Sequence, residues 1–177
     1  MMIAIGLLLL RLALGLIFLL HGAQKLFGVF GGHGLAGTTQ FMTMLGLHPA
    51  RWWATIATWG EFVGGLLLAL GLFTPLAALL VLAVMLVAIL KVHAGKGFWN
   101  NQGGYEYNLV LSALATVLGL VGAGAFSLDA LFGLGALSPT LFLLGLPLLI
   151  LLAVVVELPS SAWLQKRWHS SHVGPEL

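Results

Sequence analysis

Five apolar stretches, each long enough to cross a lipid bilayer, run through this chain of 177 residues. A helix needs about 20 apolar residues to cross the hydrocarbon layer. The stretches cover residues 2–21 (with room to continue through Lys25), 52–72, 75–93, 105–124 and 138–157. The strict alternation of apolar and polar residues that is typical of membrane β-barrels is absent, so the stretches predict α-helices. We therefore expect an all-α, polytopic membrane helix bundle.

The composition supports this class and excludes several kinds of chemistry. Hydrophobic residues make up 60% of the chain and charged residues only 7%, which is outside the range of soluble domains. The chain has no cysteine, and this excludes iron–sulfur clusters, covalent c-type haem and thiolate zinc sites. No basic block with interleaved aromatic residues indicates nucleic-acid binding. The lipid bilayer is the expected partner, and any redox role needs a bound cofactor or a partner subunit.

The charged residues predict the orientation of the chain in the membrane. With five spans, one membrane face carries every lysine and arginine except Arg11, namely Lys25, Arg51, Lys91, Lys96, Lys166 and Arg167. The other face carries Asp129. Because basic loops remain in the cytoplasm, we expect a multi-pass protein of the cell (inner) membrane. Its N-terminus lies outside and its C-terminus is cytoplasmic.

Two ionisable residues, Arg11 and Glu61, fall near the middle of their predicted spans. At a rise of about 1.5 Å per residue, Arg11 lies ~14 Å and Glu61 ~16 Å from the outer face. A charged side chain at this depth needs a partner or a wet cavity, so we expect an intramembrane ion pair between these two residues. The pair has two interpretations: it sets the register of the helices, or its carboxylate relays protons or contacts a ligand.

A second polar layer lies near the cytoplasmic ends of the predicted spans. His21, His93 and Glu106 come from three helices and lie about 27–28 Å from the outer face, with Lys25 close by. Lysines at a boundary often only extend to the head groups, whereas two histidines and a glutamate at one depth favour a ligand site. Their donors suit the carbonyl oxygens of a quinone or an anionic head group. A b-type haem between the histidines is a weaker alternative, and the spacings of metal-binding motifs are missing.

Four pieces of sequence, in this order, resemble a known family. They are RLALGLIF at 11–18 with HGAQKLFG at 21–28, EFVGGLLLALGLFTP at 61–75, HAGKGFW at 93–99 and GGYEYN at 103–108. Together they resemble the DoxX family of small integral membrane proteins, over roughly residues 5–133. The resemblance implies a four-helix membrane bundle, and it implies an association with quinol or thiosulfate:quinone oxidoreductase systems. More distant relatives assist cargo export or membrane-protein assembly. The polar residues in the matching pieces are Arg11, His21, Lys25, Glu61, His93 and Glu106.

We divide the chain into three parts on this basis. Residues 1–133 form a DoxX-like transmembrane bundle, residues 134–158 an additional transmembrane helix, and residues 159–177 a cytoplasmic tail. The fifth span departs from the four-helix pattern of the family, and the sequence leaves open whether it belongs to the bundle.

The sequence favours a membrane subunit associated with an oxidoreductase system that contacts quinone at the cytoplasmic boundary. His21, Lys25 and His93 would donate to the ring oxygens, and Glu106, with Glu61, would move protons. A partner oxidoreductase subunit or a homo-oligomer is expected. The alternatives are a non-catalytic membrane chaperone or assembly factor, and a transporter of a small solute or of protons. Whether the chain is itself catalytic stays open, and no catalytic residue is assigned.

Overall fold

The structure is a computed structural model that describes residues 1–135 and 138–157. These residues form helices and connecting turns, without a strand among them. The helices are α1 (Met2–Phe27), α2 (Gly34–Met44), α3 (Ala50–Leu70), α4 (Thr74–Ala88), α5 (Glu106–Val121), α6 (Leu128–Leu131) and α7 (Ser138–Glu157). A π-helical turn, Ile89–His93, continues α4, and short 3₁₀ turns follow at Ala94–Lys96 and Asn100–Gln102. The predicted all-α membrane bundle is confirmed.

Among the described residues, four helical segments are long and apolar enough to cross a membrane: Met2–Phe27, Ala50–Leu70, Thr74–Lys96 and Pro139–Glu157. The predicted span at 105–124 is a shorter apolar helix, because α5 begins only at Glu106 and ends at Val121. Its 16 residues extend over about 24 Å. Gly122 ends the helix with a φ of 86°, a backbone conformation that glycine adopts without strain.

The helices α1 and α3 run antiparallel and approach closely through glycines. A Cβ on Gly15 would lie 2.6 Å from the backbone nitrogen of Ala69, and a Cβ on Gly65 would lie 2.7 Å from the carbonyl oxygen of Gly15. Further along α1, a Cβ on Gly22 would lie 2.6 Å from Cα of Phe62. Small residues permit this close approach, and the van der Waals packing that results helps helices to associate in lipid. These contacts fix which residue of α1 faces which residue of α3.

The helix α4 lies at the centre of the bundle, where it packs against α3, α5 and α7. The fully buried Phe142 of α7 lies on Gly119 of α5, and Leu79 of α4 lies against Gly145 of α7. The last turn of α7 forms an ion pair with the π-helical turn that continues α4, with 3.3 Å between Lys91 Nζ and Glu157 Oε1. The fifth predicted span therefore packs onto the bundle. The predicted tail, with Lys166 and Arg167, lies outside the described residues.

The bundle has two ends that differ in their polar residues. The end where α1 finishes, α3 begins and α4 finishes carries His21, Lys25 and His93, and we call it the histidine end. The opposite end, where α3 finishes and α4 begins, we call the arginine end because Arg11 lies there beside Gly71, the C-cap of α3. Each end contains one group of buried polar side chains.

Candidate functional site

A partly open cavity of about 330 Å³ lies at the histidine end of the bundle. Its walls are mostly apolar and come from α1, α2, α3, α4, α5 and α7. Binding sites for small molecules have about this size, and they combine an apolar wall with a few polar groups that orient the ligand. The polar groups of this cavity include His21, Lys25, Glu61, His93 and Asn108. This arrangement suits a flat apolar molecule with polar atoms at one edge.

The buried charge in the cavity wall is Glu61, and its partner is Lys25. The ammonium of Lys25 donates to Oε1 of Glu61. The Glu61 side chain is 3% exposed and the Lys25 side chain 38% exposed, so the carboxylate is buried and the lysine reaches it from the cavity side. The second carboxylate oxygen, Oε2, is buried and has no hydrogen-bond partner within the described part of the chain.

The predicted ion pair between Arg11 and Glu61 is wrong. The ion pairs between described residues are Lys25 with Glu61 and Lys91 with Glu157, and neither includes Arg11. The prediction counted depth from the outer end of each helix, which assumes that both helices end in one plane. In the structure Arg11 lies beside Gly71, at the very end of α3. The first turns of α1 therefore extend past α3, and equal counts along the two helices are not equal depths.

Arg11 belongs to a separate polar group at the arginine end. Its side chain is buried, and Asp129 is the charged group that acts on it electrostatically. Asp129 is also buried and accepts hydrogen bonds from the backbone nitrogens of Phe73 (2.8 Å) and Thr74 (3.0 Å), where α4 begins. A carboxylate is favourable at the N-terminus of a helix and a cation at the C-terminus. Arg11 at the end of α3 and Asp129 at the start of α4 follow this rule.

Both cavity histidines use the same ring nitrogen for a backbone contact. Nδ1 of His21 lies 2.8 Å from the carbonyl oxygen of Ile17, and Nδ1 of His93 lies 2.6 Å from the carbonyl oxygen of Gly103. Because a carbonyl oxygen only accepts, Nδ1 carries the proton in both rings. In the neutral imidazole, Nε2 is then an acceptor, and no described residue bonds either Nε2. From the sequence we expect His21 and His93 to donate to a ligand, whereas the neutral rings offer acceptors at Nε2.

Glu106 does not line the cavity. Its Oε2 accepts a hydrogen bond of 3.0 Å from the backbone nitrogen of Asn100. The backbone of Glu106 in turn donates to the carbonyl oxygen of Phe98 at 2.9 Å. Glu106 therefore shapes the connection between α4 and α5, from which Asn100 reaches the cavity. Of the four predicted ligand residues, the structure brings His21, Lys25 and His93 to one cavity and gives Glu106 a contact outside it.

The part that α2 plays in the site was not predicted from the sequence. Phe41 and Met42 of α2 form a wall of the cavity, and Met42 is buried. The signal for this wall was the apolar content of residues 41–45. The π-helical turn that ends at His93 was also not predictable from composition. Such turns occur frequently at functional sites.

The fold and the cavity define a multi-pass α-helical membrane protein with a ligand-sized, polar-edged cavity at its histidine end. The DoxX family model matches residues 6–94, and the chain belongs to this family. It is 33% identical to "Putative oxidoreductase CatD" of Bacillus subtilis over 125 residues, which are 71% of this chain and 85% of that protein. It is 32% identical to "Inner membrane protein YphA" of Escherichia coli over 128 residues, which are 70% of this chain and 87% of that protein. No solved structure matches the chain significantly.

The Lys25–Glu61 pair predicts a double-mutant result. Lys25→Met leaves a buried carboxylate without its counter-charge and should lower the free energy of unfolding by about 3 kcal/mol. Combining Lys25→Met with Glu61→Leu should recover much of this loss, because neither charge remains. Thermal unfolding in detergent, followed by circular dichroism, measures both effects.

Lys91→Met is the matched control for this experiment. Lys91 pairs with Glu157, which is 53% exposed, so its loss should cost below about 1 kcal/mol. A second cycle with Arg11→Leu and Glu61→Leu should show additive effects, since Arg11 and Glu61 do not pair. Coupling between Arg11 and Glu61, with none between Lys25 and Glu61, would contradict the structure.

Proposed function

We propose that this protein is a membrane subunit associated with an oxidoreductase system and that it binds a quinone head group in the cavity at the histidine end. The observation that carries the proposal is the joint placement of His21, Lys25, Glu61 and His93 on one mostly apolar cavity of about 330 Å³. The name of the Bacillus subtilis relative, which contains the word oxidoreductase, supports the same class of system.

The cavity offers separate contacts for the two parts of a quinone. The apolar residues Phe18, Met42 and Leu111 suit the flat ring and the start of an isoprenoid tail. Lys25 has further N–H groups beside the one that bonds Glu61, and they can donate to a ring oxygen. An apolar cavity between membrane helices also lets the tail remain in the lipid. Electron transfer would then involve a partner subunit, since cysteine-based redox centres are excluded by the sequence.

Ligand-dependent thermal stability tests the proposal. A short-chain ubiquinone or menaquinone analogue, added to purified protein at about 100 times its dissociation constant, should stabilise the fold by ~2.7 kcal/mol. The double variant His21→Ala with His93→Ala should lose most of this stabilisation, because its polar edge is removed. Differential scanning fluorimetry in detergent measures the shift.

His33→Ala is the control variant, since His33 is exposed at the start of α2 and does not line the cavity. It should keep the full stabilisation. The absence of any shift in the parent protein would contradict quinone binding, and so would an equal shift in the double variant.

We further propose that the histidine end faces the cytoplasm and that the N-terminus lies outside. Among the described residues, the histidine end carries Lys25, Arg51, Lys91 and Lys96. Basic residues that flank membrane spans remain in the cytoplasm. The cavity would then receive its ligand from the cytoplasmic half of the bilayer.

Single cysteines test this orientation, since the chain has none of its own. Gly95→Cys places a thiol in open space at the histidine end, and Ala130→Cys places one on the exposed side of α6 at the arginine end. In intact cells a membrane-impermeant maleimide should label Ala130→Cys and not Gly95→Cys. After the membrane is opened, both should be labelled. Labelling of Gly95→Cys alone in intact cells would reverse the orientation.

A further inference from the structure

The polar edge of the cavity contains two hydrogen-bond acceptors, Nε2 of His21 and Nε2 of His93, that no described residue satisfies. We infer that the cavity binds the reduced, dihydroxy form of the head group (a quinol) more tightly than the oxidised, dicarbonyl form (a quinone). This inference rests on the proposed function and adds to it the redox form that the site selects. It follows from which atoms of the cavity donate and which accept.

The two histidines provide these acceptors. In each ring Nδ1–H donates to a backbone carbonyl oxygen, that of Ile17 for His21 and that of Gly103 for His93. The neutral ring can then only accept at Nε2. These backbone contacts fix the tautomer, so neither ring can exchange its two nitrogens without losing a hydrogen bond. Both residues line the cavity.

Glu61 limits the donors at this edge. Lys25, the charged donor that lines the cavity, already bonds Oε1 of the Glu61 carboxylate. A bound ligand shields the histidine Nε2 atoms from water, and an acceptor that then stays unsatisfied costs free energy. A ligand that brings O–H groups removes this cost, whereas a ligand that brings only acceptors leaves it in place.

The two redox forms of the head group differ in the number of hydrogen bonds that they can donate. A quinone presents two carbonyl oxygens, which accept and cannot donate. A quinol presents two hydroxyls, each of which donates one hydrogen and still accepts from a group such as Lys25. The Tyr107 hydroxyl and the Trp53 indole also line the cavity and can donate. The expected preference for the quinol is therefore about tenfold and not absolute.

A ligand series on the parent protein tests the inference. The probes are a methyl-substituted 1,4-benzoquinone, its hydroquinone and the monomethyl ether of that hydroquinone, which present zero, two and one hydroxyls. Dissociation constants are measured without oxygen by quenching of tryptophan fluorescence, on protein in lipid nanodiscs and on empty nanodiscs. The hydroquinone should bind about ten times more tightly than the quinone, with the monomethyl ether between them. A tenfold preference raises the reduction potential of the bound two-electron couple by about 30 mV.

Two variants test whether the histidine nitrogens cause the preference for the quinol. His21→Ala with His93→Ala should reduce the ratio of the two dissociation constants to about threefold or less, and His33→Ala should leave it unchanged. If the double variant does not fold, the ligand series on the parent protein decides alone. Measurable binding with a quinone as tight as the hydroquinone would overturn the inference and leave the proposed function intact. If none of the three probes binds, the proposed function fails and this inference fails with it.

Discussion

The antiparallel contact between α1 and α3 determines which polar residue meets which across the core of the bundle. Gly15, Gly22 and Gly65 let the two backbones touch, so a shift of register would drive a Cβ into a neighbouring main chain. In this register Gly22 lies against Phe62, and Lys25, one turn further along α1, reaches Glu61. Arg11, which precedes Lys25 by about four turns of α1, lies at the end of α3. The glycine contacts thus separate the two cations of α1 into different polar groups.

The polar groups at the two ends of the bundle are stabilised by different contacts. At the arginine end, the C-terminus of α3, the N-terminus of α4 and Asp129 compensate one another, and all are packed by neighbouring residues. At the histidine end, the Lys25–Glu61 pair lies against a cavity and keeps one carboxylate oxygen unsatisfied. Buried polar groups without partners are costly. Such atoms occur at both ends, since Arg11 Nε and Nη1 and Thr74 Oγ1 also have no hydrogen-bond partner among the described residues. The histidine end is favoured as the binding site because its cavity has His21, Lys25, Glu61 and His93 in its wall.

Much of the fold could be predicted from the sequence, because the length of an apolar stretch and the bilayer thickness restrict the solutions. Helices at 2–27, 50–70, 74–93 and 138–157 correspond to predicted spans. The common depth of His21 and His93 followed from the rise of the helix, and three of the four predicted ligand residues do line one cavity. The partner of Glu61 could not be obtained in this way. It depends on how far α1 extends past α3, which is a packing property and leaves no periodic pattern in either helix.

The sequence also could not show which nitrogen of each histidine is available to a ligand. Spacing indicates that two imidazoles lie at one depth, but only the backbone around Ile17 and Gly103 shows which nitrogen each ring has left for a ligand. Glu106 is a similar case. Its depth, close to that of the two histidines, suggested a ligand contact, whereas its carboxylate accepts a hydrogen bond from the turn at Asn100–Gln102.

Photolabelling tests most directly the proposal that a quinone head group binds in the cavity at the histidine end. A photoreactive azidoquinone with a short isoprenoid tail is bound to the protein in nanodiscs and irradiated, and the labelled peptides are identified by mass spectrometry. The labels should fall on cavity residues of α1, α3 and α4, within 17–25, 53–61 and 84–93, and an excess of unlabelled quinone should remove them. Labels spread over the lipid-facing side of α7, or labels that excess quinone does not remove, would contradict a quinone site in this cavity.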